Sequence, residues 1–175
     1  MFESAELGHK IDKATYNTEV PKLREELLDA QFNLAEKAKF PVIILIGGVD
    51  GAGKGETVNL LNAWMDPRHI VAHAMGDASD EERERPPMWR FWRSLPPKGK
   101  IGMFFGSWYT SPIVNRVLKK TSSASLNQSI EQINHFEKII NLAQAFVNFQ
   151  CSYRGHNGIV KEVQKSGTAK FRSWV

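Results

Sequence analysis

The chain has 175 residues, of which 42% are hydrophobic and 24% charged, as expected for one globular domain with its own core. Its single cysteine, Cys151, excludes an internal disulfide and fits a reducing compartment. The polar N-terminus lacks the apolar stretch of a signal peptide. The longest aliphatic run, residues 42–46, is far shorter than the ~20 residues that span a membrane. We therefore expect a cytoplasmic protein with no membrane partner.

The net charge of +4 is unevenly distributed along the chain. Residues 139–175 contain five basic residues and one acidic residue, so this segment accounts for the whole excess. The basic character therefore describes the C-terminal segment and not a charged face of the domain. On this distribution we expect no nucleic-acid partner.

Hydrophobic periodicity predicts an α/β domain. Residues 1–19 are expected to form an irregular N-terminal arm, followed by an amphipathic helix over residues 20–38. The sequence VIILIG, residues 42–47, is apolar on both faces, as in a buried parallel strand. Two further strands are predicted at residues 68–75 and 100–105.

Helices are predicted between and after these strands. One starts near Gly55, and a short aromatic helix covers residues 88–95. The clearest helix covers residues 126–140, with a capping box that begins at Ser125. Strands that alternate with helices indicate a parallel sheet.

The segment GGVDGAGKGETVNLL, residues 47–61, carries most of the functional information. Gly48 to Lys54 fit the pattern G-x-x-x-x-G-K, after a predicted strand and at the start of a predicted helix. Glycines let successive backbone N–H groups converge on phosphate oxygens, and the helix N-terminus adds positive potential. Lys54 would place a positive charge against the transferable phosphate. The alternative is a tight strand-to-helix turn that only requires glycine.

Gly55 stands where such loops usually carry a Ser or Thr whose hydroxyl binds Mg²⁺. Asp50 is the obvious replacement ligand within the loop. A carboxylate that faces bound phosphates without a cation would repel them. Asp50 therefore implies either bound Mg²⁺ or a side chain that points to solvent.

The loop and the landmarks after it resemble the polyphosphate kinase 2 family, the polyphosphate:nucleotide phosphotransferases. The family loop, G-x-D-x-x-G-K-G, is matched by Gly48, Asp50, Gly53, Lys54 and Gly55. The likeness continues through LLNAWMDPRHIVAHAM, the acidic pair at 81 and 82, PPMWRFWRSLPPKGKIGMFF and SWY. It covers residues 20–138 and is nearest to the N-terminal half of the tandem, two-domain members.

This resemblance implies a three-layer P-loop kinase-like fold over residues 20–140, with a helical lid that would be incomplete here. It implies phosphoryl transfer between inorganic polyphosphate and AMP or ADP, assisted by Mg²⁺. Asp50 and Lys54 would be catalytic, and Asp50 would bind the metal. Phosphate would be bound by Gly48, Gly51, Gly53, Lys54, Gly55 and Arg90. Polyanions could also be held by Arg83, Arg85 and Arg93, although a solvated charged helix face is equally consistent.

The end of the third strand departs from the family pattern. The family has Asp-Arg-Ser there, whereas here Gly106 takes the position of the aspartate and the arginine is missing. Loss of one preorganised contact typically slows such chemistry by ~10²–10³, so impaired turnover is expected. Asp77 or Asp80 could substitute for the missing carboxylate. An aspartate at position 106 would be expected to complete a magnesium shell with Asp50.

Residues 141–175, a divergent basic tail, match neither the apolar strand nor the basic lid of the family. A frameshifted or truncated reading frame would remove a core strand and the lid. In a genuine divergent ending, residues 142–149 could still supply the strand. We expect residues 139–175 to be the least ordered part of the chain.

Three functions are consistent with these features. The first is a polyphosphate-dependent nucleotide kinase with impaired turnover. The second is a non-catalytic phosphate-binding or scaffold domain that pairs with a catalytic domain or with its own copies. The third is another kind of P-loop kinase, which Gly55 and the tryptophan-rich landmarks disfavour.

Overall fold

The computed structural model describes residues 11–48, 53–142 and 146–152, with the backbone alone for residues 142 and 146–152. In chain order the elements are α1 (Lys13–Lys37), β1 (Val42–Gly48), α2 (Lys54–Trp64), β2 (Ile70–Ala74), α3 (Asp80–Arg83), α4 (Trp89–Arg93), β3 (Ile101–Phe105), α5 (Thr110–Val117), α6 (Ser123–Leu142) and β4 (Phe146–Ser152). The three predicted strands are confirmed. No helix within these ranges is long and apolar enough to cross a membrane.

The four strands form one parallel sheet in the order β2-β3-β1-β4. In the pairing of β1 with β3, Val42 lies opposite Ile101 and Ile46 lies opposite Phe105. β1 is therefore central, which explains why its sequence is apolar at every position before its glycines. The predicted α/β class with a parallel sheet is confirmed.

Alternate side chains of β1 enter two separate cores, one on each face of the sheet. Ile43 and Leu45 pack with Phe104 of β3 and with residues of α4 and α6, namely Phe91, Ile133, Phe136 and Ile140. Ile46 packs on the other face, with residues of α1 and α2, namely Leu27, Leu34, Val58 and Leu61. The predicted three-layer arrangement follows from this alternation, since both faces of the sheet are covered by helices.

The first helix begins earlier than predicted. Residues 13–19, which the sequence placed in an irregular arm, belong to α1. The side chain of Asp12 caps the helix, accepting hydrogen bonds from the N–H groups of Ala14 at 2.9 Å and Thr15 at 3.0 Å. Pro21 lies inside the helix without ending it. The prediction failed because residues 13–19 have no apolar period and proline suits the first turn of a helix.

The cap of α6 also lies earlier than predicted. The helix begins at Ser123, and Ser122 accepts a hydrogen bond from the N–H of Ser125 through its hydroxyl oxygen at 3.2 Å. Ser125 therefore lies within the first turn and does not start the helix. Several serines in succession make the position of the cap ambiguous from the sequence alone.

The fourth strand decides between the two alternatives that the sequence left open for the C-terminal segment. β4 pairs with β1 in parallel, from Phe146 opposite Val42 to Ser152 opposite Gly48. The core strand is therefore present, as expected for a divergent ending in which residues 142–149 supply it, and it extends to Ser152. The sheet thus continues beyond residue 140, where the sequence placed the end of the domain. The remainder of the predicted tail, residues 153–175 with the expected incomplete lid, lies outside the described residues.

Proline substitutions test whether β4 contributes a ladder of hydrogen bonds. Backbone N–H groups alternate in direction along a strand, so one of the neighbours Val147 and Asn148 directs its N–H towards β1. Proline has no N–H, so of Val147→Pro and Asn148→Pro, the variant that removes the N–H directed towards β1 should lose roughly 1–3 kcal/mol of unfolding free energy. The other variant, which removes an N–H directed away from β1, serves as the matched control, and urea unfolding measures both. Equal stability of both variants and the parent would contradict the pairing.

Candidate phosphate-binding site

The four parallel strands end at one edge of the sheet, where ligands bind in folds of this class. Gly48 is the last residue of β1, Gly53 is the N-cap of α2, and Lys54 and Gly55 are its first residues. The strand–loop–helix order predicted for the phosphate-binding motif is therefore present. Asp50 and Gly51, which the sequence also placed in the site, lie outside the described residues, as does any metal contact of Asp50.

The start of α2 is suited to an anion. Gly53 has φ of +81°, a left-handed conformation that favours glycine. No side chain in the described ranges caps this helix. The first N–H groups of a helix have no acceptor within the helix, and their partial positive charge favours a phosphate oxygen.

Gly106 follows β3 and is enclosed by the two neighbouring strands. Its N–H donates a hydrogen bond to the carbonyl of Ile46 in β1 at 3.2 Å, so residue 106 lies beside the end of β1. Its nearness to the loop that follows stays a prediction, because residues 49–52 lie outside the described residues. Its φ is +81°, and a Cβ atom placed on it would lie 2.6 Å from the carbonyl oxygen of Met75. An aspartate here therefore requires the backbone to move. The metal shell that it was expected to complete with Asp50 stays a prediction, because Asp50 lies outside the described residues.

Arg90 of α4 lies near the same edge of the sheet, where its guanidinium contacts Met75. One terminal nitrogen of its guanidinium lies 3.8 Å from the sulfur of Met75. Its Nε lies 3.6 Å from Oε2 of Glu82, and the side chain is 18% exposed. This Nε is buried and has no hydrogen-bond partner among the described residues. The role of Arg90 as a phosphate ligand stays a prediction. It concerns an arginine whose Nε makes no hydrogen bond within the described residues.

The other arginines near α4 are engaged at the surface. Arg83 forms an ion pair with Asp80 at 2.9 Å, and both side chains are exposed. Arg85 and Arg93 stack against Trp89, with 5.5 and 5.4 Å between each guanidinium carbon and the ring centroid. These contacts support the solvated-face interpretation for Arg83. Arg85 and Arg93 together with Trp89 form one exposed stack that carries two positive charges.

The expected replacement carboxylates do not build a metal site in the part of the chain that is described. Asp80 pairs with Arg83 at the exposed start of α3. No three His, Cys, Asp or Glu side chains of the described residues come together as potential metal ligands. Asp50, beside which either carboxylate was expected to act, lies outside the described residues, so this substitution stays a prediction.

The loop after β3 is anchored by Glu137, a residue that the sequence analysis missed. Oε1 of Glu137 accepts hydrogen bonds from Nε1 of Trp108 and from the hydroxyl of Tyr109, both at 2.9 Å. Burial raises the pKa of Glu137, although these two hydrogen bonds act in the opposite direction. Burial and the charge of Glu137 likewise raise the pKa of Tyr109. The sequence did contain an indication of this role, because Glu137 is a charged residue that lies between Ile133 and Ile140 on the apolar face of α6.

Comparison with known proteins places these features in a family context. A sequence model of the family described as Polyphosphate kinase 2 matches residues 10–152. The chain is 58% identical over 140 residues to a polyphosphate:AMP phosphotransferase of Pseudomonas aeruginosa and 51% identical over 140 residues to one of Pseudomonas syringae pv. tomato. Each match covers 80% of this chain and 28% of the relative, so the chain spans little more than a quarter of these relatives.

Solved structures show the same fold. The chain superposes on a crystal structure assigned to polyphosphate kinase 2 of Pseudomonas aeruginosa PA01 with a TM-score of 0.84 at 50% identity, covering 95% of this chain and 36% of that chain. A polyphosphate kinase 2 of Arthrobacter aurescens TC1 gives a TM-score of 0.78 at 23% identity, covering 92% and 57% respectively. The second likeness concerns the fold alone, and both confirm the predicted architecture.

Alanine substitutions at two glycines test the enclosure of Gly106. Gly106→Ala should lose at least ~1–2 kcal/mol of unfolding free energy from the left-handed conformation alone, and more from the contact with Met75. Gly55→Ala is the matched control. A Cβ there meets no atom within 4 Å. Alanine in a helix should therefore add roughly 0.5–1 kcal/mol. Urea unfolding of both variants measures the contrast, and a fully stable Gly106→Ala variant would refute the close approach.

Glu137→Gln tests the cost of the buried carboxyl group. A carboxyl pKa that is raised in the folded state means that wild-type stability falls as the pH rises through that pKa. Glutamine keeps an oxygen acceptor for Trp108 and Tyr109 but does not ionise. We expect the variant to be more stable than the wild type near pH 7, with an advantage that disappears below about pH 4.5. Thermal unfolding across this range measures it, and a pH-independent difference would contradict the raised pKa.

Proposed function

Because the chain belongs to the polyphosphate kinase 2 family, we propose that it binds inorganic polyphosphate and a nucleotide at the carboxyl edge of its sheet. The observation that carries this proposal is the glycine-rich segment between Gly48 and Lys54, placed between the end of the central strand and the start of α2. Backbone N–H groups at the helix start, the charge of Lys54 and the guanidinium of Arg90 would bind phosphate oxygens there.

The proposed reaction is phosphoryl transfer between polyphosphate and AMP or ADP. An oxygen of the nucleotide phosphate attacks the terminal phosphorus of polyphosphate, the bond to the next bridging oxygen breaks, and a chain shorter by one phosphate leaves. The names of the two Pseudomonas relatives support AMP as the acceptor. Such transfer depends on positioning and on neutralisation of charge, for which this site has few groups, so we propose impaired turnover.

Mg²⁺ is expected from the family resemblance, and Asp50 is its proposed ligand. The end of β3 supplies no second ligand, because Gly106 has no room for a side chain. We therefore propose that the metal contributes weakly in this chain.

The second candidate function is a non-catalytic phosphate-binding or scaffold domain. The enclosure of Gly106 favours it, because the backbone at that point rejects the carboxylate that the family uses. Such a domain would pair with a catalytic domain or with its own copies. We propose a cytoplasmic location for either function, on the single cysteine.

Lys54→Ala tests the phosphate site directly. Loss of a charged donor should weaken polyphosphate binding by at least roughly tenfold, because hydrogen bonds to charged groups contribute ~1.5–3 kcal/mol. Lys22→Ala is the matched control, since Lys22 is an exposed lysine on α1 with 65% of its side chain accessible. Calorimetric titration with polyphosphate measures both variants. An unchanged affinity of Lys54→Ala would refute the proposed site.

A transfer assay then separates the two candidate functions. The chain is incubated with polyphosphate, AMP and Mg²⁺, and the formation of ADP is compared with that of a two-domain relative. We expect a small fraction of the activity of the relative. Strong transfer by this chain would exclude the non-catalytic function, whereas binding without transfer would favour it.

A further inference from the structure

Met75 separates the guanidinium of Arg90 from Gly106, the position at which the family pattern has a metal-binding carboxylate. We propose that Arg90 binds polyphosphate as a metal-free anion, so that this domain takes up polyphosphate without Mg²⁺. This inference rests on the proposed function and specifies the form of its ligand.

The position of Arg90 at the strand ends is fixed by Met75. The N–H of Met75 donates to the carbonyl of Phe105 at 2.8 Å, and its own carbonyl oxygen lies over Gly106. The sulfur of the same residue contacts the guanidinium of Arg90 at 3.8 Å. Arg90 and Gly106 therefore contact the same residue, so the guanidinium lies at the same strand ends as Gly106.

The positive charge of Arg90 is only partly neutralised within the described part of the chain. Its buried Nε has no hydrogen-bond partner there, one terminal nitrogen faces the thioether sulfur of Met75, which is a weak acceptor, and the guanidinium stacks on Phe91. The Nε is enclosed, so an anion would gain free energy at the terminal nitrogens, where it could supply stronger acceptors than sulfur. A phosphate group matches the planar, forked arrangement of the N–H groups.

Glu82 competes with such an anion without saturating Arg90. Its Oε2 accepts a hydrogen bond from the N–H of Ser79 at 2.9 Å and lies 3.6 Å from Nε of Arg90. That separation is too long for a hydrogen bond, although the charges still attract. Glu82 thus caps α3 first and neutralises Arg90 only in part. The two residues should therefore have opposite effects on polyphosphate binding.

The experiment is a calorimetric titration of the whole chain with inorganic polyphosphate, once with EDTA and once with Mg²⁺, together with a titration of Mg²⁺ alone. We expect binding in EDTA, an equal or lower affinity with Mg²⁺, and no saturable heat from Mg²⁺ alone. Affinity that is about tenfold tighter with Mg²⁺ would overturn the inference and leave the proposed function intact. No binding of polyphosphate under either condition would refute the proposed function itself.

Three variants assign the effect to Arg90, all measured in EDTA. Arg90→Gln should weaken binding by roughly tenfold or more. Glu82→Gln keeps an acceptor for the N–H of Ser79 and removes the competing charge, so binding should tighten by roughly twofold to fivefold. Arg68→Gln removes the same charge near the amino end of β2 and should leave the affinity unchanged.

The opposite signs distinguish ligand binding from a structural role. If Arg90 and Glu82 served only to hold α3 against α4, both substitutions would weaken binding together with thermal stability, and the inference would be overturned. Thermal unfolding of each variant in the absence of polyphosphate separates these results. Unchanged binding of Arg90→Gln in a folded chain would also overturn it.

Discussion

The close approach of three strand ends at Gly106 is the constraint on which the site depends. β1 accepts the N–H of Gly106 through Ile46, while Met75 after β2 places its carbonyl oxygen where a side chain would begin. The left-handed backbone at Gly106 makes this approach possible. It also turns the chain into the segment Ser107–Trp108–Tyr109, which Glu137 anchors.

Two ionisable side chains contact residues at this edge of the sheet. Glu137 holds the loop after β3 through Trp108 and Tyr109, and its burial is tolerated because two donors converge on one oxygen. Arg90 approaches from α4 and has fewer partners than a buried guanidinium requires. The first arrangement is a satisfied structural contact. The second is the kind of incomplete contact that ligands fill.

The chain keeps the fold of the polyphosphate kinase 2 family. A TM-score of 0.84 against a Pseudomonas aeruginosa structure reflects the parallel sheet, its two helical layers and the strand–loop–helix connection. These elements are set by the two apolar cores and do not require the aspartate at the end of β3. A shared fold is thus stronger evidence for the place where phosphates would bind than for their transfer.

The sequence by itself determined the strands, the parallel sheet and the placement of Gly48, Gly53 and Lys54 around a strand-to-helix connection. These features are local, because apolar periodicity and glycine spacing reflect the conformation of adjacent residues. Only the tertiary structure decided that Gly106 is enclosed, that Arg90 reaches Met75, and that residues 146–152 pair with β1. Each of these depends on contacts between residues distant along the chain, and such contacts leave no periodic signal in the sequence.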